Sequence, residues 1–302
     1  MGKKRTFEDT MDDPSKPQSA SPIVAMFEGF RSELDEHHDR RERVIKASRD
    51  ITAASKKLIF SLQRVRKLNH PIPLFVVKAN AQYWQTIESQ YRAISSDLQR
   101  LNAYRYRSNI TGGNQEFMEA LSFQHYLETQ SLISYEEAGH RIASMGGEGG
   151  SVLLTPEDYI LGIFDMVGEL MRFAITSMAT SGKLPGGESR RQKHPREETS
   201  GGQDADKMEL DRQVSGQDEQ KPPRRDVLAD LRELRLHLEG FDPPLGEKFA
   251  DDVDKKIVVM RQCVEKVETA LYGLVMRGQE RPKGWIPDLT EQRRAPEQVE
   301  GY

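Results

Sequence analysis

Tyr159 to Gly182 reads YILGIFDMVGELMRFAITSMATSG. It is the most apolar run in a chain otherwise rich in charge, and only Asp165, Glu169 and Arg172 interrupt it with ionisable groups. A helix apolar on nearly every face is a buried helix. Asp165 and Glu169 are four apart, so a helix puts them on one face. Two like charges side by side in a buried helix repel and are costly to desolvate, and a cation between them removes that cost. Gly162 and Gly168 leave room for something to approach the backbone. A second acidic pair, Glu116 and Glu119 in NQEFMEALSFQHY, is spaced three apart among Phe117, Met118, Leu121 and Phe123. The central expectation is that these two helices lie side by side and bring four carboxylates to one oxygen-rich metal site.

The run is long enough to cross a bilayer, but two acids and an arginine near its middle favour a buried helix of a water-borne protein, without a membrane partner. The chain has 302 residues, 36% hydrophobic and 30% charged, polar for a compact globule, so part of it is expected to be unfolded. A net charge of −4 gives no global attraction to nucleic acid; such binding needs a local patch. The single cysteine, Cys263, excludes an internal disulfide and a cysteine-rich zinc site, and fits a reducing compartment. The polar N-terminus carries no secretory signal. Met1-Gly2-Lys3-Lys4-Arg5-Thr6 matches both a loose acylation pattern at Gly2 and a short basic nuclear-import signal, of which import ranks first; cytoplasm and nucleus are the expected locations.

Helical periodicity extends in both directions. Residues 1–21 are polar and read as a disordered tail. From Ile23 to Leu68 apolar residues recur at helical spacing around a mixed-charge middle. Its default reading is a solvated face; the alternative is a phosphate-contacting strip through Lys46, Arg49, Lys56 and Lys57. Asn69-His70-Pro71-Ile72-Pro73 breaks the helix, and a second runs from Leu74 to Tyr106. Tyr104-Arg105-Tyr106-Arg107 closes it, where aromatics interleaved with Arg105 and Arg107 offer stacking on single-stranded bases or ordinary packing. Asn109-Ile110-Thr111-Gly112-Gly113 reads as a turn before the first acidic helix, Asn114–Thr129. Ser134-Tyr135-Glu136-Glu137 is a capping box, and Thr155-Pro156-Glu157-Asp158 a strong helix start. Residues 183–223 read as a flexible insertion. Helices resume over Asp226–Leu238 and from Gly246. Phe249, Val253, Ile257, Met260, Val264, Val267, Leu271 and Leu274 then form a coiled-coil-like stripe ending at Arg277-Gly278. No strand pattern occurs. The fold class is all-α, a single domain over 22–285 of six or seven long helices, interrupted by the 183–223 insertion, with a loose tail at 286–302.

Four carboxylates from two helices suit Mg²⁺, with Mn²⁺ as substitute. A di-iron bundle needs two Glu-x-x-His pairs, and only Glu137/His140 occurs. The sequence has no G-x-S-x-G, P-loop or G-x-G-x-x-G. His125 is an accessory base or a packing residue. Arg172, three beyond Glu169, is the natural ion-pair partner if the acids are structural, and spacing leaves both readings open.

Phe30-Arg31-Ser32-Glu33-Leu34-Asp35, His38-Asp39-Arg40-Arg41-Glu42-Arg43 and Ser48-Arg49-Asp50-Ile51-Thr52 resemble the opening helix of the translin-associated factor X family, a branch of the translin family. Gln115-Glu116-Phe117-Met118-Glu119 through Tyr126, Thr155–Gly162 through Asp165 to Arg172, and Val264–Glu268 through Gly278 resemble its later blocks, in order, over about residues 27–280. The resemblance implies a seven-helix fold and a hetero-oligomer with translin that binds single-stranded RNA and DNA. It also implies Mg²⁺-dependent endoribonuclease activity on small-RNA passenger strands or pre-tRNA fragments, with metal-activated water attacking the phosphodiester. The family's four acids fall on Glu116, Glu119, Asp165 and Glu169. Translin itself has an apolar residue where this chain has Asp165, which favours the catalytic relative. The rival expectation is a non-catalytic nucleic-acid-binding or scaffold subunit.

Overall fold

Both ends of the apolar run fold as their chemistry dictates. Thr155 Oγ1 accepts the Asp158 N–H at 3.1 Å, Pro156 starts the helix, and Gly182 closes it in the left-handed conformation with its N–H on Met178 O. The computed structural model describes residues 21–186, 225–244 and 248–277. The acylation or import signal at Met1–Thr6, nearly all of the N-terminal tail and the insertion, the Gly278 cap and the C-terminal tail lie outside the described residues.

The described residues form eight α-helices: α1 Pro22–Leu62, α2 Leu74–Ile94, α3 Leu101–Arg105, α4 Arg107–Thr129, α5 Tyr135–Met145, α6 Pro156–Ser181, α7 Val227–Glu239 and α8 Lys248–Arg277. Seven have 11 residues or more, as the periodicity predicts, and α3 is a single turn. Among the described residues there is no strand beyond one isolated bridge, Gly186 to Asp226, and no helix is long and apolar enough to cross a membrane.

Contacts divide the chain after Arg43. In the first unit, the opening half of α1, Phe27 and Phe30 meet edge to face at 6.2 Å, and Ile23, Val24, Met26 and Leu34 are exposed with them. In the second unit, α4 packs on α6, α6 on α8, and α7 on both. Phe117, Met118 and Leu121 of α4 and Met166, Val167, Leu170 and Phe173 of α6 are buried together in the core. The α8 stripe is spent inside the chain: Val253, Met260, Val264 and Val267 are buried, and Phe249, Ile257, Leu271 and Leu274 pack against the same core.

Three boundaries differ from the sequence reading. The first helix ends at Leu62, not Leu68. The chain tightens there, and Asn69, at φ 54°, donates its N–H to Leu127 O. The expected helix to Tyr106 stops at Ile94 and re-forms as the short α3, and the Gln99 amide bonds Ser95 O and Ser151 O across the break. Asn109–Gly113 is not a turn but the first turns of α4. Its glycine serves close approach: a Cβ on Gly113 would stand 3.0 Å from the Ser48 carbonyl oxygen, and the Gly113 N–H donates to Ser48 Oγ at 3.0 Å.

The register of α4 against α6 is pinned by Asp158, which is buried. Its carboxylate accepts from Thr111 Oγ1 at 2.7 Å, Asn114 Nδ2 at 3.1 Å and Gln115 Nε2 at 3.1 Å. Tyr91 donates to Asn114 Oδ1 behind them. Gly162 then lets the helices touch: a Cβ there would meet Met118 Cβ at 2.6 Å and the Gln115 carbonyl at 3.0 Å. Gly168 has nothing within 4 Å, so only one of the two glycines marks a close approach.

Candidate metal centre

Asp158 and Gly162 bring the face of α4 that carries Glu116 and Glu119 onto the face of α6 that carries Asp165 and Glu169. The four carboxylates feel one another. Burial pushes the Glu119 carboxyl up to about 8, with Asp165, Glu116 and Glu169 adding to the shift and only the Lys256 ammonium opposing it. Glu116 is raised as well, by burial first, with Asp165 and Glu169 working against the lowering effect of Lys56. A carboxyl that holds its proton near neutral pH marks a place where burial and neighbouring negative charge together outweigh what the protein neutralises.

The remaining charge is divided among protein partners. Lys56 Nζ of α1 lies 3.7 Å from Glu116 Oε2. Lys256 Nζ of α8 bonds Asp165 Oδ1. Glu169, 8% exposed, takes Arg172 Nη2 at 3.2 Å and the Gln63 amide, which also donates to the Glu169 carbonyl at 3.1 Å. Among the described residues nothing donates a hydrogen bond to the Glu119 carboxylate, and no three His, Cys, Asp or Glu side chains are arranged as a metal-binding group. The donor chemistry fits a hard divalent cation, being all oxygen and short of positive charge. The present orientations turn three of the four carboxylates toward lysine, arginine or glutamine.

Other expected site residues fall elsewhere. Of the strip on α1, Lys46 and Arg49 are exposed, Lys56 Nζ lies near Glu116, and Lys57 stands 5.5 Å from the Tyr83 ring centroid. Arg107 is engaged 2.6 Å from Glu157 Oε1 at the start of α6. Arg105 is exposed on α3, and the neighbouring tyrosines split, Tyr104 outward and Tyr106 into the core. His125 faces away from the carboxylates: its ring nitrogens meet Ser131 Oγ at 3.3 Å and Glu137 Oε1 at 3.9 Å, so it is a packing residue here. Arg172 is at the site, as Glu169's partner. Sequence reasoning missed Lys256 and Gln63. Neither carries a local signal, because each reaches the site only through docking of its own segment on α6.

The family model described as "Translin family" matches residues 39–278. The chain belongs to the Translin family. Translin-associated protein X of Rattus norvegicus is 29% identical over 289 residues, covering 90% of this chain and 84% of the relative. The Translin-associated protein X homolog of Schizosaccharomyces pombe is 33% identical over 152 residues, half of this chain and 61% of the relative. Translin of Gallus gallus is 23% identical over 158 residues, covering 52% and 69%. Among solved structures, one titled "Crystal structure of apo-NeC3PO" superposes with a TM-score of 0.51 at 16% identity, covering 81% of this chain and 96% of the other. That likeness is one of fold. The Rattus norvegicus protein thus matches over 289 residues, whereas Translin of Gallus gallus matches over 158.

Proposed function

We propose that this chain is the endoribonuclease subunit of a hetero-oligomer with translin, cutting single-stranded RNA in a Mg²⁺-dependent reaction. The observation that carries the reading is the Glu119 carboxyl. Its proton affinity is raised by burial and by three further carboxylates that two separate helices bring to it. Glu116, Glu119, Asp165 and Glu169 would hold the cation, Mg²⁺ or Mn²⁺. When bound, such an ion supplies a Lewis acid for phosphoryl oxygens and lowers the pKa of coordinated water.

The chain's own residues do the rest. Gln63 and Arg172 orient the Glu169 carboxylate from two sides. Lys56, with a side chain 64% exposed, is free to swing from Glu116 toward the charge of a strand's phosphate. Lys46 and Arg49, exposed on α1, are placed to make sequence-independent phosphate contacts. The core behind α4 and α6 keeps water from one side of the site. Partnership with translin is supported by the likeness to proteins named Translin-associated protein X, and passenger-strand or pre-tRNA substrates by the family resemblance of the acidic blocks. Lys3-Lys4-Arg5 supports a nuclear as well as a cytoplasmic location.

The test uses the full chain co-purified with translin, a labelled single-stranded RNA, and Mg²⁺ or EDTA. Cleavage is expected with Mg²⁺ only, with Glu119→Gln slower by about a hundredfold or more. Cleavage indifferent to both EDTA and the substitution removes the reading. One observation favours the rival, a binding subunit without catalysis: Lys56, Lys256 and Arg172 already pair three of the acids. RNA binding that weakens with salt, with no turnover, selects it.

A further inference from the structure

Phe60 is a side chain that the chemistry above does not use. Its ring is 78% exposed on α1. The helical backbone continues one residue past Leu62, with the Gln63 N–H on Ile59 O at 3.0 Å. At about 100° per residue, Lys56, Phe60 and Gln63 therefore fall within about 60° of one another around the α1 axis. Both neighbours touch the carboxylates: Lys56 Nζ lies 3.7 Å from Glu116 Oε2, and the Gln63 amide donates to the Glu169 carboxylate. Phe60 stands between them, about 6 Å along the axis from Lys56 and about 4.5 Å from Gln63. Leu58 and Leu62 carry the packing on the other side of the helix, both fully buried.

A lone exposed apolar side chain is common and calls for no explanation by itself. The surroundings set this one apart. Its neighbours in the helix and just past it are Lys56, Lys57, Gln63 and Arg64, so no apolar face extends from it along α1. The two flanking cations are already set against rings of α2: Lys57 Nζ lies 5.5 Å from the Tyr83 ring centroid, and Arg64 Cζ 4.9 Å from that of Phe75. Among the described residues no ring and no cation is set against Phe60. Arg49, eleven residues earlier and exposed on the same face, extends the positive charge along the helix. An open aromatic face within a cationic strip is how proteins hold an unpaired base: the ring stacks on it, and the cations follow the backbone.

We infer that Phe60 is a base-stacking residue, whose ring takes the nucleobase next to the phosphodiester held over Glu116, Glu119, Asp165 and Glu169. Every base has a π-face, so stacking fixes the register of a strand without selecting its sequence. The inference rests on the RNA reading above and adds to it the side chain that sets which bond lies at the acids.

The experiment uses the full chain co-purified with translin and the shortest single-stranded RNA that the complex binds, in EDTA so that no cleavage intrudes. One abasic nucleotide is walked along the strand. The wild type is expected to lose about tenfold in affinity at one position of the walk. Phe60→Ala is expected to weaken binding of the intact strand by about tenfold and to be indifferent to the abasic nucleotide at that position. Phe60→Trp is expected to behave as the wild type, whereas Phe60→Leu, apolar but not flat, is expected to behave as Phe60→Ala. Melting temperature and recovery with translin are expected to stay at wild-type values. With Mg²⁺ restored, the cut is expected at the phosphodiester beside that position. A position that depends on Phe60, with no cut in Mg²⁺, keeps the stacking role and removes the nuclease reading. If no position depends on Phe60 in folded variants bound to translin, the inference is overturned. If Phe60→Ala fails to co-purify with translin, the ring is a subunit contact and the inference is overturned as well.

Discussion

Glu119 is the side chain on which the charge of the site converges. Unfolded, its carboxyl ionises near 4.5; folded, near 8. Between those values the folded chain holds a proton that the unfolded chain lacks. Its contribution to stability is therefore full below pH 4.5 and is lost as pH rises toward and through 8. Thermal unfolding in EDTA is expected to find Glu119→Gln gaining on the wild type between pH 5 and pH 9, by about 5 °C at the upper end. Parallel melting curves across that range would mean that Glu119 is not in the field of the other three acids. The proximity of the acids was legible at this scale because spacings of three and four in an apolar helix are hard to reconcile with anything but a shared face. For His125 the same rule favours the packing alternative: six residues from Glu119 is a rotation of about 240°, which puts its ring on another side of α4.

At the scale of elements, the contact of α4 with α6 decides whether the acids meet. Gly162 and Gly168 look alike in the sequence and differ in the fold. Gly162→Ala drives a methyl group into Met118 and the Gln115 carbonyl, and is expected to cost about 2 kcal/mol. It should also lower the pKa of Glu119 by prying the helices apart, readable by carboxyl NMR titration. Gly168→Ala meets open space and is expected to stabilise by up to about 1 kcal/mol through helix propensity alone. Equal effects in urea unfolding would contradict the packing described. The same ambiguity explains the boundary error at Asn109–Gly113. A glycine pair after an asparagine signals a turn locally, and only the presence of Ser48, more than sixty residues earlier in the chain, reveals that the small residue was needed for approach. The α8 stripe has a coiled-coil-like spacing, but periodicity does not say what covers it, and here α6 and α7 do.

For the whole molecule, the isolated bridge between Gly186 and Asp226 brings together the two ends of the segment that separates α6 from α7. Val227 donates its N–H to Pro185 O at 3.1 Å beside it. Replacing residues 187–224 with a short Gly-Ser linker is therefore expected to leave helix content unchanged and the melting temperature within about 2 °C, since closure entropy varies slowly with length. A collapse of the fold on this deletion, followed by circular dichroism, would show that the segment contributes core contacts. Lys256 was illegible for a reason of the same scale: it meets Asp165 across 91 positions of chain, and no pattern within α8 announces that. Gln63 ties two segments together: its side-chain amide donates to the Glu169 carboxylate of α6, and its backbone carbonyl accepts from the Arg66 guanidinium. The resonance of that amide is thus a spectroscopic reporter on the carboxylate cluster, expected to shift when a divalent cation is added and to return when EDTA removes it.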